Sequence, residues 1–279
     1  MVAPAKLNLN LVVGSRDASG LHPLRSVVQT VEIVDLLHVD TADEDQLVVQ
    51  GDPAIPDGPE NLVLKAVERL RGSIRLPPIA FELEKQIPAG AGLGGGSSDA
   101  AAALVACCEI AGEGSDRARR VAPDVGADVT FFLVGGTAEM SGYGEKIESM
   151  EALQGFAVAV VVPDMHLATP DVYQRWDALG EPVGFEIPDR LLPPPMRNKF
   201  PIRNDLYRAA VDVEPDLGDF VSDVAGMWDS VVMMTGSGSA CFGFFANVEE
   251  AKEAAASVPG TRAEFGVDLR PTGVSREDD

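Results

Sequence analysis

The chain has 279 residues, 46% of them hydrophobic, and 44 acidic side chains against 22 basic ones give a formal net charge of −22. That length allows roughly two domains with a substantial core, and the acidity excludes a nucleic-acid binder, whose electrostatic footprint is basic. No apolar run approaches the ~18 residues of a membrane span, and the opening MVAPAKLNLN alternates like a strand and lacks the basic and apolar regions of a secretory signal.

In chain order, periodicity predicts strands at 6–13, 28–34, 80–84 and 131–139, and helices at 61–71, 98–112 and 115–121. A composition break at 150–155 divides the chain into an amino-terminal domain, 1–152, and a carboxyl-terminal domain, 153–279. The second half opens with a β-branched strand at 158–162, then a helix capped by Thr169 with Pro170 in its first turn. An irregular connection at 191–201, rich in proline, leads to helices at 205–211 and 217–227. Strands at 230–234 and 240–245, a helix at 248–258 and a strand at 262–267 follow, and the charged tail 273–279 is expected to fray. Strands and helices mixed in two halves indicate an α+β protein. Cys107, Cys108 and Cys241 have no metal spacing, and His22, His38 and His166 stand apart, so the expectation is a cytoplasmic protein with neither structural disulfide nor protein-held metal cluster.

The chemistry concentrates at PAGAGLGGGSSDA, residues 88–100. An alternating strand with Ile79, Phe81 and Leu83 on one face runs into Lys85, then this loop, then an alanine-rich helix. A loop so poor in side chains leaves its N–H groups free to surround an anion, and the helix N-terminus adds more, so the segment reads as a phosphate cradle. A Walker A loop is excluded, because Gly96 is followed by Ser97-Ser98 with no lysine. A dinucleotide fingerprint can be laid on Gly90, Gly92 and Gly95 with Glu113 beyond, but clustered glycines satisfy many spacings. A plain glycine linker would not normally join a strand to such a helix. Asp128 enters the apolar stretch before Phe131-Phe132-Leu133, and Lys6 lies between Ala5 and Leu7. Each charge is costly there alone, and pairing them removes both costs.

PAGAGLGGGSS, the amino-terminal APAKLNLNL and the later Thr235-Gly236-Ser237-Gly238-Ser239-Ala240-Cys241-Phe242 resemble, in order, the three motifs of the GHMP kinases, the superfamily of galactokinase, homoserine kinase and mevalonate kinase. With Gly126-Ala127-Asp128-Val129 between them, they look most like the branch that phosphorylates a cytidyl alcohol of the non-mevalonate isoprenoid pathway. The resemblance implies a two-lobed fold, with the active site between an amino-terminal lobe and a ferredoxin-like carboxyl lobe. It implies an ATP- and Mg²⁺-dependent phosphotransferase, with Asp128 as base and Lys6 as its partner. ATP would lie on Asn61, Lys85, Pro88, Ala89, Gly90, Ala91, Gly92, Leu93, Gly94, Gly95, Gly96, Ser97 and Ser98, and the acceptor on Asn8, His22, Thr169 and Tyr173. The partner is then a small molecule, and the chain a monomer or weak homodimer. The residue readings that stay open beside these roles are helix caps for Asn61, Ser97 and Ser98, a surface position for Lys85, and a purely structural Lys6–Asp128 pair.

The family usually has Gly-Tyr-His where this chain has Gly20-Leu21-His22, so one aromatic face for the base is missing, and Thr130 replaces a usual proline. These departures touch the acceptor rather than the transfer. The alternatives are a related kinase for another alcohol, such as homoserine or mevalonate, and a non-catalytic nucleotide-binding regulator on the same scaffold.

Overall fold

The computed structural model describes residues 1–277. The first sheet contains β1 (Val2–Asn8), β2 (Val12–Val13), the 18-residue β3 (Leu24–Thr41), β4 (Gln46–Gln50), β5 (Ile79–Glu84), β6 (Thr137–Gly142) and β7 (Lys146–Ser149). Its main order is β4-β5-β3-β6-β7, with β1 and β2 also paired to β3. Around it lie α1 (Leu62–Arg71), α2 (Gly95–Ile110), α3 (Ser115–Val125) and the single-turn α4 (Val129–Phe132). In α2, Ala100 to Leu104 are all inaccessible, because the helix is wedged between the sheet and α1, α3 and α4. A helix apolar on every side belongs in such a position.

The second sheet is β8 (Ala157–Pro163), β9 (Met233–Met234), β10 (Cys241–Phe245) and β11 (Thr261–Asp268), with α5 (Thr169–Ala178), α6 (Tyr207–Val213), α7 (Asp216–Trp228) and α8 (Val248–Ala256). Its order, β11-β8-β10-β9, is antiparallel throughout. With the helices between β8 and β9 and between β10 and β11, this is the β-α-β-β-α-β arrangement of ferredoxin-like domains. Every residue of β8 is buried. Ala157, Ala159 and Val161 face the helices of their own lobe, while Val158, Val160 and Val162 join Leu7, Val27 and Val31 of the first sheet, and Leu9 just after β1, in one apolar cluster. An unbroken apolar strand is what burial on both faces demands.

Three expectations need correction. Residues 131–139 are not one strand: Phe131 and Phe132 belong to α4, Gly135 and Gly136 both take φ +67, and the strand starts at Thr137. A short buried apolar run carries no period that separates helix from strand. Thr169 is not a cap but the first helical residue, Ala168 taking the cap position. The tail does not fray at Gly273: Val274 N–H donates to Phe132 O at 2.9 Å and Val2 N–H to Ser275 O at 2.8 Å. The last two residues of the predicted tail, 278–279, lie outside the described residues.

Candidate active site

A bulge at Pro4/Ala5 re-phases β1, after which alternation puts Lys6 and Asn8 on one face and Leu7 on the other. Lys6 Nζ donates to Asn8 Oδ1 and stands 3.8 Å from Asp128 Oδ2. Asn8 is fixed in turn, Nδ2 donating to Ser26 Oγ at 2.8 Å and its backbone N–H to Thr235 Oγ1 at 2.9 Å. Burial lowers the pKa of Lys6, opposed by the charge of Asp128 and a hydrogen bond to it. Asp128 itself, at the α3–α4 junction, keeps part of its carboxylate open to solvent.

The glycine loop is fastened by its carbonyls. Ala89 O accepts from Arg262, Ala91 O from Ala240 N–H, Leu93 O from Lys6 N–H, and Gly94 O from the N–H groups of Ser97 and Ser98. The N–H groups of Gly92, Leu93, Gly94, Gly95 and Gly96 donate to no protein acceptor among the described residues. Gly90, Gly92 and Gly94 take φ of +65, +80 and +76, the alternation that turns successive amides into a nest for an anion. At Gly94 a Cβ would lie 2.9 Å from Phe132 Cζ and 3.0 Å from Lys6 Cγ, so the loop closes directly on Lys6, the partner of Asp128, and on α4.

Lys85 is buried rather than surface-exposed. Its ammonium pairs with Asp35 and, at 2.7 Å, with Asp99 of α2. Burial works against its charge, but Asp99 and Asp35 outweigh burial and raise its pKa. The other oxygen of Asp35 accepts the N–H groups of Gln86 at 2.6 Å and Ile87 at 2.8 Å, which sets the strand's exit into the loop. Burial first, opposed by Lys85 and reinforced by Asp35, pushes the Asp99 carboxyl up to about 7. Asp35 was missed from the sequence, although it occupies an inward position in the alternation Val31-Ile33-Asp35-Leu37.

These groups surround one cavity of about 710 Å³. Its wall includes Lys6, Asn8, Asn61, Lys85, the loop from Pro88 through Ser97, Asp128, Thr169 and Tyr173. Asn61 is also a helix cap, its Oδ1 accepting from Val63 N–H at 2.9 Å. Thr169 and Ser237 share a hydroxyl hydrogen bond of 2.7 Å. Burial and then the charge of Asp128 push the Tyr173 phenol up to about 12. Two expected residues stand outside the wall. Ser98 is fully buried with an unpartnered hydroxyl, and His22 sits behind Tyr173, ring centroids 5.1 Å apart, its Nε2 2.7 Å from Asp177 Oδ1. Glu60 and Tyr143 line the cavity without having been anticipated, and so do Asp99, Gly236 and Ser237, which the motifs contain but to which no contact was assigned. Cys107, Cys108 and Cys241 are buried free thiols.

A glycine-loop lobe joined to a ferredoxin-like lobe, with a polar cavity holding a Lys–Asp pair, defines a small-molecule kinase of the GHMP class. The model of the GHMP kinases N terminal domain matches residues 61–136. A 4-diphosphocytidyl-2-C-methyl-D-erythritol kinase of Geobacter metallireducens is 35% identical over 96% of both chains, and one of Paramagnetospirillum magneticum is 39% identical over 92% of both. A crystal structure of 4-(cytidine 5'-diphospho)-2C-methyl-D-erythritol kinase superposes with a TM-score of 0.79 at 32% identity over 99% of both chains. A homoserine kinase from Cytophaga hutchinsonii, 15% identical over 97% of this chain and 96% of that one with a TM-score of 0.65, shares the fold. The chain belongs to the 4-diphosphocytidyl-2-C-methyl-D-erythritol kinase family. It is a kinase, and ATP is its phosphoryl donor. Among the described residues no helix is long and apolar enough to cross a membrane.

Proposed function

We propose that this kinase transfers the γ-phosphoryl group of ATP to the 2-hydroxyl of 4-diphosphocytidyl-2-C-methyl-D-erythritol, directly, with Asp128 taking the hydroxyl proton. The observation that carries the reading is the meeting of unpaired loop amides with Lys6 at Gly94, where Lys6 stands 3.8 Å from Asp128. The amides of Gly92 to Gly96 and the N-terminus of α2 would hold the β- and γ-phosphates. Asp128, partly open to the cavity, would accept the proton as the acceptor oxygen attacks. Lys6, desolvated and steered by Asn8, would balance the charge of Asp128 and polarise the hydroxyl. Asn8 and Thr169 would position the acceptor, while Asn61 and its neighbours would hold the nucleotide's other end.

Charge balance supports a divalent cation. The wall carries Lys6 and Lys85, both paired, against Glu60, Asp99 and Asp128, so the amides alone face a triphosphate. Mg²⁺ characteristically keeps several waters and takes one or two protein oxygens beside the substrate's phosphates. The Ser97 hydroxyl and the unpartnered Oδ1 of Asp99 suit that role. When bound, Mg²⁺ would neutralise charge on the β- and γ-phosphate oxygens.

The test is ATP consumption with the cytidyl alcohol beside homoserine and mevalonate, repeated with Asp128→Asn. That variant preserves size but cannot take a proton, so kcat should drop by roughly 10²–10⁴ while ATP binding persists. A kcat within a few-fold of the parent would make Asp128 structural. Turnover of homoserine or mevalonate in preference to the cytidyl alcohol would reassign the acceptor.

A further inference from the structure

Two aromatic side chains line the cavity, Tyr173 and Tyr143. Tyr143 occupies the turn between β6 and β7 and is 41% exposed, which is unusual for a ring held in one place. It is held at three points. Its N–H donates to Glu145 Oε2 at 2.7 Å, its hydroxyl donates to Asp17 Oδ2, and the next residue, Gly144, lies against Ala127, where a Cβ would come within 3.0 Å of the alanine Cβ. Asp17 is itself anchored, accepting from Ser19 N–H at 2.8 Å and Ser19 Oγ at 2.6 Å in the loop that carries Leu21 and His22. The ring is thus tied to that loop through its hydroxyl, and the turn that carries it is seated against the residue preceding Asp128. Among the described residues no other ring packs on it, whereas Tyr173 is backed by His22.

We propose that Tyr143 receives the flat heteroaromatic base of the acceptor on its ring, so that selectivity for a nucleotidyl alcohol is set from the β6–β7 turn and not from position 21. The inference rests on the cytidyl-alcohol reading above. Leu21, 54% exposed, lies outside the cavity wall and has no π-face. The Tyr143 hydroxyl already donates to Asp17, so what it offers a base is its face, held at little further entropic cost.

The test measures steady-state constants for ATP and the cytidyl alcohol in Tyr143→Ala, Tyr143→Leu, Tyr143→Phe and Tyr143→Trp, with Tm as the folding control. Loss of a stacking face should raise the acceptor KM by about ten-fold or more in the Ala and Leu variants, with the Phe and Trp variants within about three-fold of the parent. The ATP KM should stay near the parent value in all four. Equal acceptor KM values in the Leu and Trp variants would show that the ring only fills space and would overturn the proposal. So would an ATP KM that rises in step with the acceptor's. If the parent turns over the cytidyl alcohol and the variants are indifferent, this proposal alone fails. If the parent does not turn it over, the functional reading fails and takes the proposal with it.

Discussion

Asp35, Lys85 and Asp99 put two carboxylates on one ammonium in a site nearly closed to solvent. With both acids ionised the cluster carries a buried net negative charge, and holding a proton on Asp99 removes it. Its carboxyl is accordingly raised from 3.8 to about 7, burial being the first cause. For an acid raised on folding, the associated stability is complete below the unfolded value and is lost as pH rises through the folded one. The window therefore runs from about 3.8 to about 7. Asp99→Asn keeps an uncharged partner for Lys85 at every pH, so its Tm, scanned across this window, should decline less with pH than that of the parent. An Asn variant with a steeper decline would refute the assignment. Lys85 was legible as a position beside the cavity because it precedes the loop. Its burial was not, because Asp35 is about fifty positions away in sequence and only the β3–β5 pairing brings the two together.

At the level of elements, the glycine loop has its carbonyls anchored and its amides free, which is what its proposed role requires. Gly92 carries the tightest approach: with φ +80, a Cβ there would stand 2.5 Å from Thr235 O and 3.1 Å from Gly238 O. Gly92→Ala must hold an alanine in a left-handed conformation, a strain of about 1–3 kcal/mol, while pushing the loop from the 235–238 turn. The ATP KM should rise by roughly five-fold to a hundred-fold, on the order of that strain, with a smaller change in Tm. Unchanged ATP kinetics would show that the loop is not the phosphate cradle. The loop and the helices around it were readable because glycine clusters, caps and long apolar periods are local signals. The edge strands β4 and β7 were not. Gln-Leu-Val-Val-Gln and Lys-Ile-Glu-Ser are short, polar-ended and half exposed, and their pairing with β5 and β6 supplies the order that their residues do not. Tyr143 escaped notice for the same reason, lying in the turn that the unseen strand β7 creates.

On the scale of the molecule, the chain's end returns to its beginning. After β11 leaves the second sheet, Arg270 N–H donates to Thr30 O at 2.8 Å, the Thr30 hydroxyl lies 2.8 Å from Arg270 O and 3.0 Å from Thr272 O and shares its one proton between them, and Arg270 pairs with Glu32 at 2.9 Å. The strap then crosses the Phe132–Gly135 turn, where Val274 N–H donates to Phe132 O, before Ser275 pairs with Val2 beside the start of β1. It thereby spans the elements that carry Asp128 and Lys6, and its fit is tight at one residue. A Cβ on Gly273 would lie 2.0 Å from Phe132 O, and one on Gly135 would lie 1.8 Å from Gly273 N. Gly273→Val should therefore lift the strap from α4. Overpacking of this kind costs about 1–3 kcal/mol, and each kcal/mol lowers Tm by roughly 2–4 °C in a chain of this size. Because the displaced carbonyl belongs to the helix that Asp128 precedes, kcat should fall beyond what the folded fraction accounts for, measured at a temperature well below the new Tm. A variant with a lowered Tm but full kcat would mean that the strap stabilises the first lobe without setting the Lys6–Asp128 geometry.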